Sequence, residues 1–286
     1  MKRIAIIGLG LIGGSIGLAL RRADIKGLEL VGCARHVETL SEARRLGLID
    51  MAELDPAAAA EGAELVIIAT PVMDIEAILK RIADKLLPNC IVTDTASTKV
   101  HVMKWAKRYL PRGISFVGGH PMAGSEKSGI AAASATLLDG CIYCLSPASS
   151  AAPEAVQSVV GLVEQMGASP LFIDAEEHDE EVGGISHLPT LLSAILVLTT
   201  AKSSRWDRMS RLAASGYRDM TRLASGDPRM NRDISLTNSE NIASWLDKFA
   251  QELGEFRRLL VEDGEELERT LTQAREAHQR WLDGRE

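Results

Sequence analysis

An α/β first half followed by an all-helical second half is the fold class predicted for this 286-residue chain, and three observations predict it. Short β-rich apolar runs alternate with helical stretches through residues 1–173. A glycine-spaced turn follows the first of these runs and opens the first helix. Beyond residue 173 no β-branched run recurs, and apolar residues keep a helical spacing to the end. Strands separated by helices need crossover connections, which places them in a mostly parallel sheet.

The strand signals lie at 4–8, 28–33, 64–69, 90–94, 115–117, 140–145 and 169–173. Helical stretches at 11–22, 74–86 and 154–166 fall between them, and 147–153 is a Ser/Ala/Pro turn region. Residues 1–173 therefore form the expected dinucleotide-binding domain and 174–286 the helical one. Within the latter, 188–201 is apolar around its whole circumference, whereas 245–260 has one polar and one apolar face. A helix apolar all round must be covered on every side. Either a second copy of the chain packs on Leu192, Ile195, Leu196 and Leu198, or neighbours in a monomeric bundle do; the sequence leaves both open.

Charge and composition exclude several classes. With 32 Lys+Arg against 39 Asp+Glu the net charge is −7, so no basic surface is expected to neutralise nucleic-acid phosphates or an anionic membrane. The expected partner is a small molecule. The most apolar run, 188–200, carries Pro189 and falls short of the roughly 18 residues a membrane span needs. Four cysteines, Cys33, Cys90, Cys141 and Cys144, are too few for a disulfide framework, which points to a reducing compartment, the cytoplasm. In a strand, Cys141 and Cys144 face opposite sides, so their CxxC spacing makes neither a redox turn nor a metal knuckle.

Gly8-Leu9-Gly10-Leu11-Ile12-Gly13 carries the first chemical signal. The first glycine permits a tight turn, the second lets the backbone approach a pyrophosphate, and the third lets helix and strand pack closely, with the helix N-terminus facing the anion. At the end of the second strand, where an acid would accept from the ribose of NAD, the chain reads Cys33-Ala34-Arg35-His36. Arg35 is placed to pair with a 2′-phosphate, so NADP is favoured over NAD. A merely solvated Arg35 would leave the protein tolerant of both cofactors.

Two further segments hold polar residues where ligands meet such sheets. The first, Asp94-Thr95-Ala96-Ser97-Thr98-Lys99, follows the fourth strand signal; its default reading is a helix cap through Ser97 or Thr98. The second, 118–127, reads GGHPMAGSEK and is expected to be a glycine-bounded loop, since glycines beside His120 and Glu126 permit close approach of a ligand. His120 is the best general-base candidate, because imidazole titrates near neutrality and can take a hydroxyl proton while hydride leaves the same carbon. Downstream, His178, Asp179 and Glu180 include metal-ligand types, but they read as an acidic helix start without a complement, and no metal is expected.

Around the GGHPMAGSEKSG loop the chain resembles the prephenate and arogenate dehydrogenases of tyrosine biosynthesis. The likeness extends to the glycine motif, to Thr70-Pro71-Val72, to residues 94–99, to Ser186-His187-Leu188-Pro189, and to 219–234 with Asn238. It implies a Rossmann domain followed by a helical dimerisation domain, a homodimer, and oxidative decarboxylation of a cyclohexadienyl substrate. It further implies that His120 bonds the C4 hydroxyl and Ser97 orients it, that Arg222 binds substrate carboxylate, and that Glu126 gates the site with that arginine. Ser125 and His187 become substrate-binding by the same likeness, and Thr70 and Pro71 join Gly8 to Gly13, Ala34, Arg35 and His36 at the cofactor. Without it, Arg222 would read as a surface residue paired to Asp219. Two departures stand near the substrate's side chain: Thr190 where many relatives have His, and Asn231 where many have Trp. The missing second cation at 190 makes a dual or arogenate-leaning enzyme the expectation.

Overall fold

The computed structural model describes residues 1–124 and 127–284. By packing, the chain divides into two compact units, Met1–Ser239 and Glu240–Glu286.

In the first unit the chain runs β1 (Arg3–Ile7), α1 (Leu11–Arg22), β2 (Glu29–Cys33), α2 (Val37–Arg45), β3 (Met51–Glu53), α3 (Pro56–Ala60), β4 (Leu65–Ile68), α4 (Val72–Ile82), β5 (Ile91–Asp94), α5 (Val100–Tyr109), β6 (Ser115–Pro121), β7 (Ile142–Pro147), α6 (Pro153–Gln165) and β8 (Ser169–Phe172). The eight strands form one sheet in the order β3-β2-β1-β4-β5-β6-β7-β8. Every neighbouring pair is parallel except β6 and β7. The chain reverses its direction of travel across the sheet between β1 and β4, the crevice where such folds bind dinucleotides.

Strand alternation divides the core into two layers. Ile4, Ile6, Leu30, Leu65 and Ile67 pack with α1 and α6 residues such as Ile16, Leu20, Val159 and Leu162. Ala5, Ile7, Val31, Val66 and Ile68 pack with Ile75, Leu79, Val102 and Ala106 of α4 and α5. Both faces are covered, so the strands read as continuous apolar runs rather than alternating ones.

Two expectations about the sheet need correction. The edge strand β3 has no apolar run to announce it. More consequentially, β6 does not stop at Val117: Gly118, Gly119, His120 and Pro121 continue it, buried, with His120 opposite Cys144 of β7. Glycine is unfavourable in strands as a rule, but a Cβ on Gly119 would lie 2.5 Å from the Asp94 carbonyl oxygen. The glycines that read as a loop are what let β5 and β6 close up.

After β8 the rest of this unit is helical: α7 (Ala175–Val182), α8 (Leu188–Ala201), α9 (Trp206–Met209), α10 (Ser215–Thr221) and α11 (Pro228–Thr237), followed by α12 (Ser239–Glu262). The second unit holds the remainder of α12 and α13 (Gly264–Asp283). A π-helical turn, Gly183–His187, joins α7 to α8, making one 27-residue helical run, Ala175–Ala201, long and apolar enough by composition to cross a membrane. Its buried His178, Asp179 and His187 are hydrogen-bonded within the protein, as described below. The apolar circumference of α8 is not fully covered within the chain: only Leu188 and Ser193 are buried, and Ile195 and Leu198 are 48% and 56% exposed.

Candidate active site

At the C-terminal ends of β1, β2 and β4 lies a cleft of about 570 Å³, lined among others by Gly8, Leu9, Gly10, Ala34, Arg35, His36, Thr70 and Pro71. Local sterics account for the glycines. Gly8 sits at φ +100°, and a Cβ there would meet the Ala69 carbonyl oxygen at 2.5 Å; one on Gly13 would fall 1.9 Å from the Gly8 oxygen. Gly10 has no atom within 4 Å of its would-be Cβ, so it presents bare backbone to open space. Helix α1 starts there without a side-chain cap, leaving its N-terminal N–H groups for an anion. These features fit a dinucleotide. Leu11, Ile12 and Gly13 do not line the cleft; they build the helix start behind it. Arg35 stands exposed at the rim, 3.9 Å from the Asp74 carboxylate, which also accepts from Arg229 of α11 at 3.2 Å.

Next along the sheet edge, a lysine that sequence reading passed over organises the site. Lys99 is fully buried, and its ammonium pairs with the Asp94 carboxylate and donates to the Gly119 carbonyl oxygen at 2.7 Å. Asp94 in turn accepts from the backbone N–H groups of Ala96 (2.9 Å) and Gly119 (3.0 Å). The ends of β5 and β6 are thereby locked together one residue before His120. A buried charge is tolerable only when paired and hydrogen-bonded in this way.

His120 itself is buried. Its Nδ1 lies 2.9 Å from His178 Nε2, and His178 Nδ1 lies 2.8 Å from Asp179 Oδ1. Burial first, then the neighbouring His178, Lys99 and His187, hold the His120 imidazole well below its usual range, so it is neutral at pH 7. The acidic-helix reading of 178–180 is thus corrected: His178 and Asp179 face inward. So is the capping reading of Ser97 and Thr98. Neither caps α5; Asp179 does, accepting from Lys99 N at 2.7 Å and Val100 N at 2.9 Å. Thr98 instead bonds Thr237 of α11 at 2.9 Å.

A second cavity, about 150 Å³, is lined by Ser97, Ser186, His187, Thr190, Leu191, Met230, Asn231, Ile234 and Ser235. Polar contacts connect it to His120. The Asn238 amide nitrogen donates to the Asp179 backbone oxygen at 2.6 Å and meets His187 Nδ1 at 3.1 Å. With Nδ1 accepting, the His187 proton sits on Nε2, which is buried, and the Ser97 backbone acts on this ring as a hydrogen-bond partner. Burial pushes this imidazole down to about 4, against the upward effect of Asp179. It is a neutral imidazole in the pocket wall. Thr190 and Asn231, singled out as departures, both line that pocket, and the Thr190 hydroxyl is spent on the Ser186 carbonyl oxygen at 3.0 Å. Arg222 is not among the lining residues; it is exposed on the short turn after α10, which Ser193 of α8 anchors through the Ala224 N–H at 2.9 Å. Ser125 and Glu126 lie outside the described residues.

Comparison with known proteins sets this site in a lineage. The nucleotide-binding domain model of prephenate dehydrogenase matches residues 16–171, and the dimerization domain model of the same enzyme matches 174–273. The chain belongs to the prephenate dehydrogenase family. Among this family's curated members it is 37% identical to the prephenate dehydrogenase of Bacillus subtilis over 276 residues, 96% of this chain and 74% of that one. It is 33% identical to the cyclohexadienyl dehydrogenase of Zymomonas mobilis, over 93% of this chain and 91% of that one. Among solved structures, the prephenate dehydrogenase of Aquifex aeolicus in complex with hydroxyphenyl propionate and NAD+ superposes with a TM-score of 0.91 at 31% identity, covering 98% of both chains. The arogenate dehydrogenase of Synechocystis gives 0.82 at 30%, covering 98% of this chain and 99% of that one.

Proposed function

We propose that this prephenate dehydrogenase family member oxidises and decarboxylates a cyclohexadienyl acid, prephenate or arogenate, using His120 as its base. The observation that carries the assignment of His120 is a neutral, buried imidazole at the C-terminal end of β6, bonded to His178 of α7 and linked through Asp179 and Asn238 to His187 in the cavity wall. A bound nicotinamide supplies the acceptor for hydride from C4. His120 takes the C4 hydroxyl proton as the carbonyl forms. Loss of CO2 from C1 then returns the C–C electron pair to the ring, leaving a phenolate, and His120 gives the same proton back. Net proton change at the protein is zero, so one imidazole suffices for the proton transfers. Ser97, in the cavity wall, orients the hydroxyl, and His187, in the same wall, contacts the substrate. Arg222 supplies a carboxylate clamp, which replacement by Ala tests through a raised KM.

Rates of reduced-cofactor formation with prephenate and with arogenate test the activity; turnover of neither overturns it. For the cofactor, the preference proposed is NADP over NAD, supported by Arg35 at the cleft rim and by the lack of an acid ending β2. Arg35→Asp is expected to lower kcat/KM with NADP by about tenfold or more while leaving NAD turnover intact, since one charged hydrogen bond contributes roughly 1.5–3 kcal/mol. Indifference of the NADP rate would sink the assignment.

We further read 1–173 as the dinucleotide-binding part and 174–286 as the part that dimerises. The exposed Ile195 and Leu198 on α8 support a homodimer, because an all-apolar helix left half-uncovered is costly in water. Sedimentation equilibrium is expected to give twice 30.8 kDa, and a monomer at micromolar concentration would refute this.

A further inference from the structure

We propose that His178 and Asp179 are positioning residues that fix the tautomer of His120, placing its proton on Nδ1 and leaving Nε2 bare to accept from substrate. This inference rests on the reading of His120 as the base.

The hydrogen bonds assign each proton in turn. Asp179 Oδ1 can only accept, so His178 Nδ1, 2.8 Å away, carries a proton. With that as the ring's single proton, Nε2 accepts, and the group it faces at 2.9 Å, His120 Nδ1, donates, whereas a second proton on His178 would reverse this bond. A neutral imidazole has one proton, so His120 Nε2 has none. The order of the chain is Asp179, His178, His120, each presenting an acceptor to the next donor. Its anchor is fixed from outside: the carboxylate, 1% exposed, takes the N–H groups of Lys99, the N-cap residue, and Val100, the first residue of α5, whose positive end favours the anion. Those same N–H groups follow Ser97 and Thr98 directly, so one carboxylate sets both the base and the segment that carries Ser97.

Charge placement explains why a relay is useful here. Burial first, then His178 and Lys99, oppose a positive charge on His120. During the reaction His120 must nevertheless hold a proton between hydroxyl oxidation and phenolate release. Imidazolium formed on His120 keeps its Nδ1–H bond to a singly protonated His178, whose own Nδ1–H points at Asp179. No other carboxylate hydrogen-bonds either ring among the described residues.

The test reads tautomers independently of turnover. Protein labelled with 15N-histidine, with His120 assigned by comparison with His120→Asn, is expected to show His120 protonated at Nδ1 only, in the full-length protein without substrate. His178→Phe, which keeps a planar aromatic ring but offers no acceptor, is expected to abolish that pattern and to lower kcat by about 10²- to 10³-fold with KM within about twofold. His178→Gln places an amide oxygen near the lost Nε2 and is expected to recover the Nδ1 proton and most of kcat. A parent His120 protonated at Nε2, or a folded His178→Phe with parental kcat, would overturn the proposal. Should His178→Phe not fold by circular dichroism, the parent spectrum and the Gln variant decide it alone. Full activity in His120→Asn would instead refute the base reading, and the parent spectrum would still report the tautomer.

Discussion

His120→Asn is expected to lower kcat by about 10³-fold, within the range general-base removal produces, with little change in KM. The asparagine amide keeps a donor toward His178 Nε2, so the variant removes basicity more than structure. Because the proton moves in the step that forms the carbonyl, kcat and kcat/KM should fall together. The pH dependence has a definite sign. A base works unprotonated, and the His120 imidazole is held well below the ordinary 6.5, so the acid limb of kcat/KM should lie below pH 6.5 and vanish in His120→Asn. The same shift acts on stability. In acid the unfolded imidazole takes up a proton that the buried one refuses, so this group's effect is to lower stability as pH falls below about 6.5. A steady-state profile from pH 4.5 to 9 checks the limb, and rates within tenfold of parent would end the assignment.

The second large effect is on folding. Asp94→Ala leaves the Lys99 ammonium buried without its counter-charge and strips a partner from the Ala96 and Gly119 N–H groups. Breaking a buried pair from one side costs about 3–5 kcal/mol, whereas replacing both partners by apolar groups is far milder. For a unit of this size that is a fall in Tm on the order of 10 °C. Combining Asp94→Leu with Lys99→Met should therefore recover most of the loss, and thermal melts of Asp94→Leu, Lys99→Met and the double variant measure the coupling. A single variant within about 2 °C of parent would show that water reaches Lys99 and that the pair is not what joins β5 to β6.

How much of this was legible in the sequence differs by element. Helices α1 and α8 run over the residues their periodicity predicts, and the glycine turn after β1 is where the spacing puts it, because those signals are local. β6 was cut short because Gly118 and Gly119 carry no strand signal, their role being set by Asp94 on the neighbouring strand. His178 and Asp179 read in the sequence as part of an acidic helix start, since nothing within a few residues of them announces burial. Their partners, His120 and the N-terminus of α5, are 58 and 80 residues away in sequence.

The chain alone, through periods of two and 3.6 residues and glycines that admit no Cβ, determined the parallel sheet, its nucleotide turn and the helical second half. Which imidazole is buried, which nitrogen bears its proton, and which carboxylate holds Lys99 and α5 in place were decided only when distant segments packed. Hydrogen bonding between side chains depends on separation in space, and sequence spacing reports that separation only within one element.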